Sequence, residues 1–387
     1  MKITHIALLA LAVMLFAGAP AAADEDRLDP GPCCPPEKVA PTPPKVEIVF
    51  VLDTTGSMGG LIEGAKVKIW TIVNQVVTGK PTPDLKVGLV GYRDRGDSYV
   101  TTMTDLTSDL DSVYGALRGF SAAGGGDTPE SVNEALHVAL TKPKWSTEKR
   151  TLRIIYLVGD APPHMDYQDD VKYPVTCEAA ARKGIIINTI QCGNLAGTDR
   201  VWKDIARRAE GRYVRIRQSG GMTAVKTPYD ERLAALSRKL SGTSVFYGDE
   251  ESRRREGKKL AEADKAADSA APEAAAERAG YRGKSGLVAV ADLLGLLERG
   301  EVKIADLDAK KLPEDLAKMS PEERKAHLGK LLAERKKLRA ELVELDAKRA
   351  AHIKAELAKK GKKGDAFDDQ VLDMLRDQAK KVGLKYE

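Results

Sequence analysis

Short apolar runs alternating with amphipathic segments, from Val46 to about residue 240, constrain the fold of this chain more than any other feature. Val46–Leu52 is apolar at nearly every position, which suits a parallel strand covered on both faces. Leu61–Val77 follows with apolar residues at helical spacing: Leu61, Ala65, Ile69, Ile72, Val73 and Val76. Leu85–Tyr92 reads as a second strand and Tyr99–Met103 as a third, at the edge. Leu110–Phe120 and Ser131–Leu140 read as helices, and Leu152–Val158 and Gly184–Thr189 as buried strands. Val201–Ala209, Arg212–Ile216 and Tyr229–Leu240 complete the series as helix, strand and helix. Such βαβ alternation implies an α/β fold: a doubly wound, mostly parallel, Rossmann-like sheet that binds ligands at the carboxyl ends of its strands.

The rest of the chain differs in kind. All three tryptophans and all four cysteines precede residue 203, and after residue 250 the only aromatics are Tyr281, Phe367 and Tyr386. The sheet domain is therefore assigned to residues 45–245. Residues 246–285, rich in Ala, Glu, Arg and Lys without apolar periodicity, read as a charged linker, and residues 286–387 as a C-terminal all-helical extension. Within that extension Ser320-Pro321-Glu322-Glu323 supplies an N-cap residue, a first-turn proline and acids beside the helix dipole. The helix it opens carries leucines from Leu328 to Leu357, but Arg335 and Arg349 fall where coiled-coil seam residues should sit. A docked amphipathic helix is expected there.

Residues 1–23 have the pattern of an export signal: Lys2, the apolar stretch Ile6–Phe16, and small residues Ala21-Ala22-Ala23 before Asp24. Residues 24–44 form a Pro-rich leader holding the adjacent pair Cys33-Cys34. A secreted or periplasmic mature protein without a transmembrane segment is expected, in a compartment that permits disulfides. Cys177 opens a helix and Cys192 ends the next strand, two points that a right-handed βαβ unit brings to one sheet edge, so a Cys177–Cys192 disulfide is expected. The net charge of +5 comes from 62 basic and 57 acidic residues, interspersed and without a basic, aromatic-laced stripe. No nucleic-acid partner is indicated.

The chemistry gathers at the strand ends. Asp53, Thr55 and Ser57 stand at i, i+2 and i+4 after the first strand, and Asp160 ends the fourth. Between them the Gly-rich loop Gly124–Ser131 can bring further oxygens close. Carboxylates and hydroxyls without His or Cys suit a hard divalent cation, Mg²⁺ first, with Ca²⁺ or Mn²⁺ also able to fit.

These residues resemble the metal-ion-dependent adhesion site of von Willebrand factor type A domains, Asp53-x-Thr55-x-Ser57 matching its first motif and Asp160 its later aspartate. The loops Asp127-Thr128-Pro129-Glu130 and Asp160-Ala161-Pro162-Pro163-His164 are similar to those of integrin β I-like domains. The resemblance implies Glu130 or Thr128 as a further metal ligand, Glu130 being preferred, and Asp127 as a candidate ligand of a second cation. Gly59-Gly60 stands where the integrin pattern has acids, so the adjacent inhibitory site is not expected. It also implies a binding module rather than an enzyme, which captures a protein partner's carboxylate through the cation, and a last helix, Tyr229–Leu240, able to shift. Two other readings stay open: a metal-assisted hydrolase, and an envelope scaffold with a structural metal. His164 reads as a hydrogen-bonding loop residue, and Arg95-Gly96-Asp97 as a chance tripeptide in a turn. Oligomeric state has no signal in the sequence.

Overall fold

In the computed structural model, residues 43–221, 224–359 and 367–386 are described; the expected signal segment, almost all of the Pro-rich leader and Cys33-Cys34 lie outside them. In chain order the sheet domain runs β1 (Lys45–Asp53), α1 (Gly59–Val76), β2 (Asp84–Tyr92), β3 (Thr101–Thr107), α2 (Leu110–Gly119) and α3 (Val132–Thr141). It continues with β4 (Thr151–Gly159), α4 (Tyr173–Arg182), β5 (Ile185–Cys192), α5 (Thr198–Arg208) and β6 (Tyr213–Ile216). The strand order is β3-β2-β1-β4-β5-β6, parallel throughout except for the antiparallel edge pair β2–β3.

Alternation along each strand divides the core into two layers. Val46, Ile48, Phe50 and Leu52 face α1 and α2, whereas Val49 and Val51 face α3, α4 and α5. β1 and β4 are neighbours, with Leu52 opposite Val158. The strand order reverses between them, and there the helices that follow leave to opposite faces and open a crevice above the sheet. Asp53 and Asp160 sit at that crevice.

Among the described residues seven more α-helices follow: α6 (Asp230–Ser241), α7 (Glu250–Asp268), α8 (Pro272–Ser285), α9 (Leu293–Glu298), α10 (Glu314–Ala317), α11 (Pro321–Lys359) and α12 (Phe367–Ala379). Residues 246–285 are thus not a linker, since α7 and α8 occupy most of them. Apart from Tyr281, which packs on Trp70, the buried apolar residues of α8 are Ala274, Ala275, Ala276 and Ala279, small enough for close approach of neighbouring helices, so no large-apolar period marks it. Arg278 and Arg282 on α8 are also buried, shared by Asp111 of α2 and Asp264 of α7.

The helical extension likewise does not end as a separate body. Phe367, Val371, Met374 and Leu375 of α12 pack into the α1 layer of the sheet core, and the Tyr156 hydroxyl donates to Val371 O. Lys385 pairs in a short antiparallel bridge with Lys80, and the Tyr386 hydroxyl donates to Val76 O. Helix α6, expected to be the last helix of the sheet domain, instead packs Leu233, Leu236 and Leu240 among α8 and α11. The sheet's last covering helix is α12, reached only after α6 to α11 have been interposed.

Cys177 and Cys192 are both buried and unpaired. The expected disulfide fails because the two side chains enter opposite layers, Cys177 below α4 and α5 and Cys192 on the α1 side. Meeting at one sheet edge does not bring side chains on opposite faces within disulfide reach. Among the described residues, no helix is long and apolar enough to cross a membrane.

Candidate metal centre

The loop after β1, the Gly-rich loop and the loop after β4 carry the expected ligands, and backbone hydrogen bonds join them. Gly56 N donates to Gly124 O, Ala123 N to Thr54 O, and Thr54 N to Tyr92 O. Glu130 N donates to Pro162 O and His164 N to Glu130 O, so the Gly-rich loop is tied to the loop after β4. Two glycines keep the approach close. A Cβ on Gly159 would lie 2.4 Å from the Tyr92 hydroxyl and 3.0 Å from Asp53 Oδ2. Gly125, at φ +73°, has room for a Cβ only 3.1 Å from Thr55 and 3.3 Å from Glu130 Oε1.

Asp53 is fully buried, and its Oδ1 accepts from Thr55 N (2.9 Å) and Thr55 Oγ1 (2.6 Å). Its Oδ2 has no partner. Glu130 is also buried, with Oε2 unpartnered. Burial, opposed by the Thr55 bonds and reinforced by the Asp160 charge, pushes the Asp53 carboxyl up to about 7. Burial and the charges of Asp53, Asp94 and Asp160 push Glu130 up to about 8. Like-charged carboxylates gathered in a dry crevice hold protons they would otherwise release. A divalent cation answers both the charge and the orphaned oxygens, so the donor set fits one.

Thr55, Ser57, Asp127, Thr128, Glu130 and Asp160 line a single open cleft of about 680 Å³, and the buried Asp53 is bonded to Thr55 of that lining. The structure thus assembles every residue expected at the first site. Thr128 is exposed and Glu130 buried. Sequence reasoning missed Gln218, whose Nε2 donates to Asp160 Oδ2 at 2.6 Å from the loop after β6. It also missed Asn194 and Leu195, which line the cleft from the loop after β5. None of the three carries a local signal, because each reaches the site only through sheet topology.

Arg95-Gly96-Asp97 is the turn after β2. Arg95 pairs with Asp170 (2.6 Å) and Asp169 (3.0 Å), and Asp97 Oδ2 accepts from the backbone of Asp94 and Gly125. The tripeptide is engaged in holding loops together.

A family model described as the von Willebrand factor A domain matches residues 47–228. Rat von Willebrand factor A domain-containing protein 7 is 43% identical over 97 residues, 25% of this chain and 10% of the rat protein. The chain spans about a tenth of the length of the curated relatives it matches. Among solved structures, BatB of Bacteroides thetaiotaomicron is 20% identical, covering 44% of this chain and 90% of that one, at a TM-score of 0.34. Proximal thread matrix protein 1 from the mussel byssus, with zinc occupying its MIDAS motif, is 17% identical over 45% of this chain and 42% of that one, at a TM-score of 0.36.

Proposed function

We propose, from the von Willebrand factor A domain matched at residues 47–228, an exported protein-interaction module that captures a partner's carboxylate through a divalent cation. The observation that carries this reading is the pair of buried carboxylates, Asp53 and Glu130, each with an unpartnered oxygen beside an open cleft. Asp53, Glu130 and the hydroxyls of Thr55 and Ser57 would hold the cation, with Asp160 behind them and Thr128 at the rim. Oxygen-only donors favour a hard ion, Mg²⁺ before Ca²⁺ or Mn²⁺. When bound, the cation supplies a Lewis-acid position open to an outside ligand. The chain's own contribution is rigidity: loop-to-loop hydrogen bonds and the close approach at Gly125 and Gly159 fix the donors before a partner arrives. Export rests on the pattern of residues 1–23.

The test is capture from envelope extract onto immobilised protein, in Mg²⁺ and in EDTA. A specific protein retained in Mg²⁺, released by EDTA and not retained by Asp53→Ala is the expected result. Retention that survives both EDTA and Asp53→Ala rejects metal-dependent capture.

A further inference from the structure

Four neighbouring strands reach one level of the sheet beneath the cleft. Tyr92 of β2 lies opposite Asp53 of β1, and Gly159 of β4 opposite Gln191 of β5, one step beyond the pair Leu52 and Val158. Alternation turns the side chains of Tyr92, Asp53 and Gln191 to the layer that holds Val51 and Leu157. Gly159 leaves a space in that row, and the Tyr92 hydroxyl and Asp53 Oδ2 both border it. A Cβ on Gly159 would collide with the hydroxyl and stand 3.0 Å from Oδ2. Both atoms are fully buried, and neither has a hydrogen-bond partner among the described residues. We propose that Tyr92 is a positioning residue of the metal centre, its hydroxyl donating to Asp53 Oδ2 from beneath and so fixing the carboxylate that holds the cation. The inference rests on the reading of Asp53 as a metal ligand.

The phenol is placed by the same turn that carries the ligands. Thr54 N (2.9 Å) and Thr54 Oγ1 (2.8 Å) both donate to Tyr92 O, so the residue between Asp53 and Thr55 holds the Tyr92 backbone. A phenylalanine would fill the apolar layer equally well. Burying a hydroxyl is unfavourable unless it finds an acceptor, so the acceptor identifies its use.

Acceptors in this row are few. Gln191 Oε1 is taken by the Tyr213 hydroxyl (2.8 Å), and Cys192 lies in the opposite layer. Asp53 Oδ1 already accepts from Thr55 N and Thr55 Oγ1. Glu130 Oε2 is also unpartnered, but Glu130 stands on the Gly-rich loop and not in the row. Asp53 Oδ2 is left, the acceptor nearest the space that the hydroxyl borders. A carboxylate oxygen has two lone pairs, so Oδ2 can face the cation with one and the phenol with the other. With Asp53 ionised beneath a bound cation, the bond from the phenol is charge-assisted. Donors behind a metal's ligands orient those ligands, and losing one lowers metal affinity about 10- to 100-fold.

Titration calorimetry of the full chain with Mg²⁺, and melting in EDTA, test the proposal on Tyr92→Phe with Tyr156→Phe as control. Tyr92→Phe should bind Mg²⁺ about 10- to 100-fold more weakly. In EDTA it should melt at or above the parent's temperature, because its hydroxyl has no bond to lose. Tyr156→Phe removes a hydroxyl that donates to Val371 O in the other layer, so it should melt lower in EDTA and bind Mg²⁺ as the parent does. With Mn²⁺ as probe, the electron spin resonance of the bound ion should change in Tyr92→Phe and not in Tyr156→Phe. A parent that binds Mg²⁺, with Tyr92→Phe binding it equally tightly, overturns the proposal alone. Weaker binding joined to a melt in EDTA as low as that of Tyr156→Phe makes the effect structural and also overturns it. Mg²⁺ binding that survives Asp53→Ala, or a parent that takes up none, overturns the reading of Asp53 and the inference with it.

Discussion

Asp53 has no exposed surface, two donors on one oxygen and none on the other. Its carboxyl is pushed up to about 7 by burial first, and Glu130 to about 8 for the same leading reason. Both values exceed those of an unfolded chain, about 4, so between roughly pH 4 and 8 the cation-free folded state binds more protons than the unfolded one. Stability without cation is then greatest at the acid end of that window and is lost as pH rises through it. Melting the EDTA-treated protein from pH 5 to 8.5 should show a falling Tm, and Mg²⁺ should raise Tm more at pH 8 than at pH 5.5. Asp53→Asn should flatten the pH dependence and abolish most of the Mg²⁺ response. An Mg²⁺ response in Asp53→Asn equal to the parent's would count against Asp53 as a ligand. Asp53, Thr55 and Ser57 were legible in the sequence because they share one local turn. Gln218 and the meeting of Tyr92 with Asp53 at Gly159 were not, because nothing near them in sequence records which strand ends and loops the sheet brings together.

Among the elements, α11 shows how far a sequence reading of polarity can be trusted. The start of the helix follows its signature, with Ser320 N donating to Glu323 Oε2 (2.9 Å) and Glu323 N to Ser320 Oγ (3.3 Å). Arg335 and Arg349, which broke the heptad, are buried where the helix docks. Arg335 joins the fully buried Asp292, and Arg349 reaches Asp230 (2.7 Å) and Glu277 (2.5 Å). Removing one partner of such a pair leaves a buried charge uncompensated, so Arg335→Ala should cost about 3–5 kcal/mol, read from urea unfolding of the helical region. A loss under 1 kcal/mol would show that Asp292 is satisfied by its backbone donors, Val245 N and Gly295 N, alone. The same logic explains why α8 was invisible: alanines and paired arginines bury a face that a search for large apolar residues passes over. The unformed Cys177–Cys192 bond has a topological cause, since the reasoning followed the sheet edge and not its faces. Mass spectrometry of the unreduced protein should find both thiols free.

For the whole molecule, the mostly parallel sheet and a crevice at the carboxyl ends of its strands followed from the βαβ alternation, because covered strands and amphipathic helices leave few arrangements. The closing of the sheet by α12 did not, because its partner surface lies far earlier in the chain, Tyr156 by 215 residues from its bond to Val371 and α1 by more, and no local pattern marks the return. Deleting residues 367–387 should uncover Phe50 and Tyr156, which stack at 5.5 Å beneath Phe367, and should produce dye binding to apolar surface with loss of the cooperative melt. An unchanged melt would mean that α12 is dispensable cover. Because that helix follows the strands it covers by more than 200 residues, the sheet core cannot close until residues 367–379 have left the ribosome. Phe50 and Tyr156 therefore wait without their cover while α6 to α11 are made, so the order of synthesis and the order of burial run apart in this domain.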